Sequence, residues 1–359
     1  MTAKPDFEVS FAHDGPELSP RQMSARLAEL TADGSVEADY YSNGGAVTAL
    51  EQAMAKLLGK ERAVMFPTGT LANLLALRLL GGTGGGRIVV HRDSHLFNDS
   101  GDNLSQLGGF TMVPLNDVGA GYSADAVRGE VARCASARAA TKLACIAVES
   151  PVRRHYGARF PSDELAKIVA LAKGDGMPLF YDGARLMIEA AYTDRDPAEI
   201  VAPYDLVYVS LYKYLGAPFG CVIAGDAEML DDLYHDRRRF GGGLYQSWPA
   251  ALLALDHLPG HLDRWRAAIK RSEAVVDRLS ADDRITVERI DDGTNIFLLG
   301  CPAADLDKAR LDRAAEREGV KLPALSDQNL AIKINETWTR WDSDRLAATL
   351  IRILTAPTA

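Results

Sequence analysis

Two strand-like apolar runs stand out in the hydrophobic pattern of the chain, and both end in polar residues. Residues 178–181 lead directly into Asp182, and residues 206–211 lead to Lys213. Runs of this kind are typical of buried parallel strands, whose carboxyl ends form the ligand-binding edge of an α/β sheet. The glycines that follow Lys213 allow the backbone to turn tightly. We therefore expect Asp182 and Lys213 to reach the mouth of one sheet.

Strands and helices alternate through about residue 225, which predicts a doubly wound, mainly parallel sheet. The first helix is expected to start at Ser19-Pro20, with Ser as its cap, and to end near Ala32. From residue 257 the pattern changes to a separate α+β lobe. Its predicted elements are a helix over 262–279, strands near 286–290 and 295–299, a helix over 305–319, a strand over 330–334 and a helix over 342–354. The sequence thus predicts an arm (1–20), a large domain (21–256) and a small domain (257–359).

Composition and charge argue against two kinds of partner, membranes and nucleic acids. The 359 residues are 47% hydrophobic, and no apolar run approaches the ~20 residues of a membrane helix. The formal charge of −9 argues against a general nucleic-acid partner. The one basic run, Arg237, Arg238 and Arg239, is interpreted as a solvated helix end. Residues 1–6 lack the basic and apolar regions of a secretion signal.

The cysteines predict a reducing compartment. They lie far apart and form no Cys-x-x-Cys pair, so we expect free thiols, a cytoplasmic location and no zinc site. Cys145 and Cys221 lie in apolar strand-like runs and are interpreted as small buried hydrophobic residues. The four are Cys134, Cys145, Cys221 and Cys301.

An acid after one strand and a lysine after the next suit pyridoxal phosphate. The acid keeps the pyridine nitrogen protonated, so the ring can withdraw electrons, and the lysine holds the aldehyde as a Schiff base. A surface salt bridge between Asp182 and Lys213 is the alternative. Gly69 and Thr70, at a predicted helix start, could bind a phosphate, although an ordinary threonine cap is the favoured explanation when the two residues are considered without Asp182 and Lys213. The glycine-rich residues 81–86 follow a helix and precede a strand, the reverse of a nucleotide-binding fingerprint, and predict a flexible connection.

Two histidines follow the predicted strand at 87–90. His95 could stack on a planar cofactor or transfer a proton. Together with His91 it could also bind a metal or cap the next helix. No cluster of carboxylates or cysteines completes a metal shell, so no metal site is predicted.

Several motifs, in order along the chain, give it a family resemblance. From about Phe11 onward it resembles the threonine aldolase group of the β-eliminating lyases, which are pyridoxal phosphate enzymes of fold type I. The residues that carry the resemblance are Leu50-Glu51, 67–73, His95, Glu149, 182–185, Lys213 with 215–220, and 241–243 with Gln246.

The resemblance implies a fold and a set of roles. The fold is α/β, with a mainly parallel seven-stranded sheet in the large domain and a small C-terminal α+β domain. Lys213 would be the Schiff-base lysine, Asp182 the partner of the pyridine nitrogen, and His95 the residue that stacks on the ring. The remaining implied residues are Gly69 and Thr70 for the phosphate, Arg185 for the substrate carboxylate, and Tyr41 as an active-site tyrosine.

Such enzymes build their sites between subunits. A homodimer or homotetramer is therefore implied, with the glycines at 241–243 approaching the neighbour's cofactor. The small-molecule partner would be an amino acid, with no nucleic acid or membrane involved.

Departures from the family pattern surround the substrate. His13 stands in place of a serine, and Lys333 in place of a second carboxylate-binding arginine. Lys333 would offer a point charge instead of a planar fork, so carboxylate binding would lean on Arg185. The plainer alternative is a solvated lysine and a satisfied loop histidine. The other departures are residues 44–46, Tyr212, Tyr214 and Tyr245.

The implied reaction is retro-aldol cleavage of a β-hydroxy-α-amino acid, of the threonine or allo-threonine type, to glycine and an aldehyde. His95 or His13 would remove the proton of the β-hydroxyl group. The alternative is another reaction of the same cofactor, namely β-elimination, racemisation, transamination or aldol transfer, because the substrate pocket decides which bond breaks. A regulatory protein on a degenerate fold is disfavoured by the presence of Lys213, Asp182 and Arg185.

Overall fold

The computed structural model of the chain describes residues 7–82, 84–302 and 306–355. The interpretation of residues 1–6, and the predicted helix start at Asp305, therefore lie outside the described residues. The strands are β1 (Val9–Ser10), β2 (Arg62–Phe66), β3 (Gly86–His91), β4 (Phe110–Leu115), β5 (Leu143–Glu149), β6 (Leu179–Asp182), β7 (Leu206–Ser210), β8 (Cys221–Gly225), β9 (Thr286–Arg289), β10 (Ile296–Gly300), β11 (Val320–Lys321), β12 (Leu325–Ser326) and β13 (Asn329–Lys333).

The helices alternate with these strands. They are α1 (Pro20–Leu30), α2 (Gly45–Leu58), α3 (Gly69–Gly81), α4 (His95–Asn98), α5 (Asn103–Gln106), α6 (Ala124–Ser136), α7 (Ser162–Asp175), α8 (Leu186–Thr193), α9 (Pro197–Val201), α10 (Ala227–Leu230), α11 (Leu233–Arg239), α12 (Trp248–His257), α13 (His261–Ser280), α14 (Lys308–Arg317) and α15 (Ser343–Thr355), with 3₁₀ segments at Arg153–His155 and Glu336–Arg340.

Local capping explains where two helices differ from their predicted bounds. The first helix ends at Leu30 because Thr31 is its C-cap, and the Thr31 hydroxyl donates to the Leu27 carbonyl at 2.8 Å. The helix expected from residue 305 begins at Lys308, since Asp307 is its N-cap and accepts from the Arg310 backbone N–H at 2.7 Å. Both side chains satisfy backbone groups that a helix end leaves unpaired.

A large sheet organises the first part of the chain. Within the described residues it has seven strands in the order β2-β8-β7-β6-β5-β3-β4, and β8 runs antiparallel to both of its neighbours while the other pairings are parallel. The central strands are buried throughout, which explains their unbroken apolar pattern. The predicted α/β class, with its mainly parallel sheet, is confirmed.

The C-terminal lobe is built on an antiparallel sheet in the order β12-β13-β10-β9. The N-terminal segment joins this lobe, because β1 pairs in parallel with β11 and Phe11 packs edge-on against Trp338 at 5.2 Å. Both aromatic side chains are fully buried. The division of the chain near residue 257 remains a proposal, and Val9 and Phe11 belong to the core of the C-terminal lobe.

Helix α13 connects the cores of the two lobes. Its buried Trp265 lies in the core beneath the large sheet, whereas its Ala268 and Val275 lie in the core of the C-terminal lobe. Among the described helices, none combines the length and the apolar content that crossing a membrane requires. The prediction for Cys145 and Cys221 is confirmed, since both are free and fully buried.

The interpretation of the basic run was wrong for one residue. Arg237 is only 1% exposed, and its guanidinium donates to the backbone carbonyls of Met65 and Ser42. Arg238 and Arg239 are exposed. The helix α11 is amphipathic at this point, so one arginine of the three faces the interior and supplies hydrogen bonds that buried carbonyl groups need.

Candidate active site

A cavity of about 290 Å³ opens where β6 and β7 end. Five of the predicted site residues line it, and they come from four separate stretches of the chain. The lining residues are Pro67, Thr68, Gly69, Thr70, His95, Asp182, Ala184, Tyr208, Tyr212, Lys213, Pro218, Phe219 and Gly220.

Asp182 is the last residue of β6, and it is held in place on two sides. Its carboxylate is 1% exposed and accepts from the Asn73 side-chain amide and from the Ala184 backbone N–H, each at 3.3 Å. Asn73 lies one turn into α3, directly after the predicted phosphate-binding residues. The sequence analysis did not assign Asn73 a role, although it belongs to the motif at 67–73.

The N-terminus of α3 forms one wall of the cavity. Thr68 is the N-cap, with its side chain accepting from the Leu71 backbone N–H at 3.3 Å, so the capping role falls to Thr68 rather than to Thr70. A Cβ atom at position 69 would lie 2.4 Å from the Tyr208 hydroxyl oxygen, so glycine is needed there. The first N–H groups of a helix have no partner within it, and they favour an anion.

Lys213 follows β7 by three residues and is half-buried at the cavity wall. Burial, and then the neighbouring Arg185 charge, lower the pKa of Lys213 to about 8. A lysine with such a pKa has a substantial neutral fraction near pH 8, which a covalent bond to an aldehyde requires.

His95 is the first residue of the short helix α4. Its backbone N–H donates to the Glu149 carboxylate at 2.6 Å, which fixes the loop that carries the imidazole at the cavity. Glu149 is 4% exposed and lies beside Asp182 on the neighbouring strand. Burial, and then the Asp182 charge, raise the pKa of Glu149 to about 7.

Two predicted carboxylate-binding residues meet at one buried acid, Asp14. Arg185 donates to it through Nε at 2.9 Å and Nη2 at 2.8 Å, and Lys333 Nζ lies 3.1 Å from its other oxygen. Burial opposes ionisation, yet Arg185 and Lys333 hold the pKa of Asp14 well below its usual range. Lys333 is therefore not a solvated strand residue, because its side chain is 20% exposed and ion-paired.

None of the four predicted substrate residues, neither Arg185 and Lys333 nor His13 and Tyr41, is among the residues that line the cavity. His13 precedes Asp14, but its Nε2 lies 3.1 Å from the Glu17 carboxylate. Tyr41 packs edge-on against Tyr245 at 5.5 Å, with the Arg238 guanidinium 4.2 Å from its ring centre. The roles predicted for both residues remain predictions.

The comparisons with known proteins agree with this geometry. A family model described as beta-eliminating lyase matches residues 19–334, most of the chain. The chain belongs to the β-eliminating lyase family. The predicted family and fold type are thus confirmed.

Three relatives of this β-eliminating lyase illustrate the range of the family. Low-specificity L-threonine aldolase 1 of Arabidopsis thaliana is 25% identical over 321 residues, which are 88% of this chain and 89% of that protein. A solved Listeria monocytogenes structure, provisionally named as an L-allo-threonine aldolase, has a TM-score of 0.79 at 25% identity and covers 97% of this chain and 96% of that one. Alanine racemase TOXG of Cochliobolus carbonum is 28% identical over 228 residues, 64% of this chain and 57% of that protein.

The residues of this lyase fit pyridoxal phosphate. The fit rests on a buried carboxylate at Asp182, an amine of lowered pKa at Lys213, and a helix N-terminus where a Cβ at Gly69 would collide with Tyr208. A pyridine nitrogen, an aldehyde and a phosphate need these three kinds of group.

Proposed function

We propose that this chain is a pyridoxal phosphate-dependent aldolase that cleaves β-hydroxy-α-amino acids, of the threonine or allo-threonine type, to glycine and an aldehyde. The main support is that Asp182 and Lys213 line one cavity with the N-terminus of α3. Relatives named as L-threonine aldolases support the choice of reaction.

Four residues would hold the cofactor. Lys213 would bind its aldehyde carbon covalently, and Asp182 would keep a proton on its ring nitrogen. Gly69 and Thr70 would bind its phosphate through backbone N–H groups and the Thr70 hydroxyl. When bound, the protonated ring withdraws electrons from the bonds at the substrate Cα.

Five further residues would serve the substrate, and Arg185 and His95 have the most direct roles. Arg185 keeps its Nη1 group for a substrate carboxylate, because Asp14 accepts from Nε and Nη2. His95, at the cavity wall, would accept the proton of the β-hydroxyl group as the Cα–Cβ bond breaks. His13 and Lys333 would lie at the carboxylate end, and Tyr41 would serve a neighbouring subunit.

A shared site motivates the proposal of a homodimer or homotetramer. Tyr40 and Tyr245 are exposed by 66% and 60%, and large exposed aromatic side chains are enriched in protein interfaces. A cytoplasmic location belongs to the same proposal, since the cysteines of the described residues are free thiols.

The decisive test measures glycine and acetaldehyde release from L-threonine and L-allo-threonine. We expect turnover by the purified protein, its loss in Lys213→Ala, and its retention in Lys173→Ala, which removes an exposed lysine of α7. Release of a keto acid and ammonia, or racemisation of alanine, without glycine would favour another pyridoxal phosphate reaction. Normal turnover by Lys213→Ala would refute the whole assignment.

A further inference from the structure

A second cluster of polar side chains lies behind the loop that carries His95. His91 is the last residue of β3, Asp93 follows two residues later, and His155 ends the 3₁₀ segment after β5. One ring nitrogen from each histidine and one carboxylate oxygen from Asp93 lie within 4.8 Å of one another. The sequence suggests a pair of His91 with His95, whereas the fold brings together Asp93 and His155, which are 62 positions apart.

We propose that His91, Asp93 and His155 form a binding site for a divalent transition metal of the zinc class. Two imidazoles and one carboxylate are the donor set that such ions prefer, with water filling the remaining position. The donors are already close, because His155 Nε2 lies 2.9 Å from Asp93 Oδ2 and the two imidazole rings are 5.1 Å apart.

The surroundings of His91 leave one of its ring nitrogens for a ligand. Its side chain is fully buried, and its Nδ1 atom accepts from the Asp93 backbone N–H at 3.3 Å. Its Nε2 atom has no side-chain partner within the described part of the chain, and the Gly119 backbone is the polar group near the ring on that side. Buried polar atoms in native structures nearly always have a partner, so a buried ring nitrogen without a side-chain partner is available to a metal ion.

The neighbouring charges permit a cation here. Asp93 accepts only from His155 among the described side chains, and therefore keeps its charge for a metal. Arg154 is close enough to interact electrostatically with Asp93, but it pairs with Asp99 at 2.8 Å, as Arg153 does at 2.6 Å.

A second cluster of two histidines and a carboxylate can be compared with this one as a possible metal site. His257 and His261 also lie beside a carboxylate, that of Glu336. Glu336, however, already accepts from Arg264 Nε at 2.7 Å, so a guanidinium occupies the place of a cation. The cluster of His91, Asp93 and His155 is thus the better metal site.

A metal at this place would join two loops of the candidate active site. Asp93 lies two residues before His95, and His155 lies six residues after Glu149. Glu149 already connects the same loops, because it accepts from the backbone N–H groups of His95 and Arg153 at 2.6 and 3.3 Å. The metal would serve as a structural clamp, while Asp93 and His155, with side chains 42% and 33% exposed, leave it a path of entry.

The test is zinc binding by the purified holoenzyme. After equilibrium dialysis against micromolar Zn²⁺, we expect one zinc per chain by elemental analysis. His155→Ala and Asp93→Asn should each weaken binding at least tenfold, and His235→Ala, which removes an exposed histidine on α11, should bind as the unaltered protein does. Zinc bound by the cofactor itself would appear equally in all four proteins.

Thermal unfolding supplies a second readout that is independent of turnover. Zn²⁺ should raise the melting temperature of the unaltered protein and of His235→Ala, reversibly with a chelator, and leave His155→Ala unchanged. Absence of zinc from the unaltered protein, or full zinc binding by both His155→Ala and Asp93→Asn, would overturn the proposal.

Discussion

The buried charge of Arg237 is expected to contribute strongly to the stability of the folded protein. It lies 3.9 Å from Glu51 and donates to two backbone carbonyl groups that belong to β2 and to the loop before α2. These three acceptors lose their partner together if the guanidinium is removed.

We therefore expect Arg237→Met to lower the free energy of unfolding by about 3 kcal/mol, because it leaves two buried backbone carbonyls unpaired and removes the cation beside Glu51. Arg238→Met is the matched control. Arg238 is exposed, and within the described residues its guanidinium contacts the Tyr41 ring, an interaction worth about 0.5–1 kcal/mol. Urea denaturation measures both, and equal effects would contradict the structural role of Arg237.

Glu51 predicts a pH dependence that can be assigned to one residue. Burial raises its pKa to about 7, against opposing effects of the Met65 backbone N–H and of Arg237. Between pH ~4.3 and about 7 the folded protein keeps the Glu51 carboxyl group protonated, whereas the unfolded chain has released the proton. The contribution of Glu51 to the free energy of unfolding is therefore present in full below pH ~4.3 and is lost as the pH rises toward 7.

In Glu51→Gln the side-chain oxygen can still accept from the Met65 backbone N–H, which donates to Glu51 at 2.7 Å. The amide side chain does not titrate in this pH range. The free energy of unfolding of the unaltered protein should fall relative to this variant by up to about 1.4 kcal/mol per pH unit across that window. Parallel stability curves for the two proteins from pH 5 to 8 would show that Glu51 is ionised throughout.

At the scale of elements, the candidate site depends on how closely α3 approaches β7. Position 69 is in contact with the Tyr208 ring, so an added methyl group must displace either the helix N-terminus or a buried strand residue. The helix start can move more easily than a strand in the middle of a sheet.

Gly69→Ala is accordingly expected to weaken pyridoxal phosphate binding about tenfold, since a shift of the helix N-terminus misplaces the N–H groups that face the phosphate. Adding Tyr208→Phe removes the nearest atom and should restore part of the affinity. Gly129→Ala in α6, where a Cβ meets nothing within 4 Å, should leave binding unchanged. Titration followed by the cofactor's absorbance distinguishes these outcomes.

Strand ends were the part of the site that the sequence could predict. Asp182 is the last residue of an apolar strand and Lys213 follows another by three residues, so their position at the edge of the sheet depends on local pattern alone. The antiparallel direction of β8 was not predicted, because a short apolar run carries no information about its direction.

At the scale of the whole molecule, Asp14 holds three parts of the chain together. Its carboxylate belongs to the N-terminal segment, Arg185 to the large sheet's domain, and Lys333 to β13 of the C-terminal lobe.

Asp14→Asn should lower the free energy of unfolding at pH 7 by about 3 kcal/mol, because two buried cations lose their anion. It should also raise KM for an amino acid more than it lowers kcat, since Arg185 loses its support. Asp263→Asn, at an 81% exposed side chain, is the control.

The stability that the ion pairs of Asp14 provide depends on pH in a direction that its pKa determines. The pKa of Asp14 is depressed in the folded state, so the stability from its ion pairs is present above pH ~4 and is lost as the pH falls further. The unaltered protein should therefore lose more stability than Asp14→Asn on acidification below pH 4.

Such long-range pairs are what the sequence could not reveal. Asp14 and Arg185 are 171 positions apart, and the basic run at 237–239 has the same composition whether its first arginine is buried or solvated. Contacts of this separation follow from the packing of the two lobes and leave no periodic pattern in the chain.

The pairing of β1 with the C-terminal lobe has a consequence for synthesis on the ribosome. The Ser10 backbone N–H donates to the Thr337 hydroxyl, 327 positions later, and Val9 pairs with Val320. Strand β1 therefore cannot pair in the lobe until these much later residues have been synthesised. Until Lys333 has left the exit tunnel, a nascent chain already holds Asp182 and Lys213 but lacks one of the two cations at Asp14. The pocket for the cofactor can thus be translated in full before the place for the substrate's carboxylate is complete.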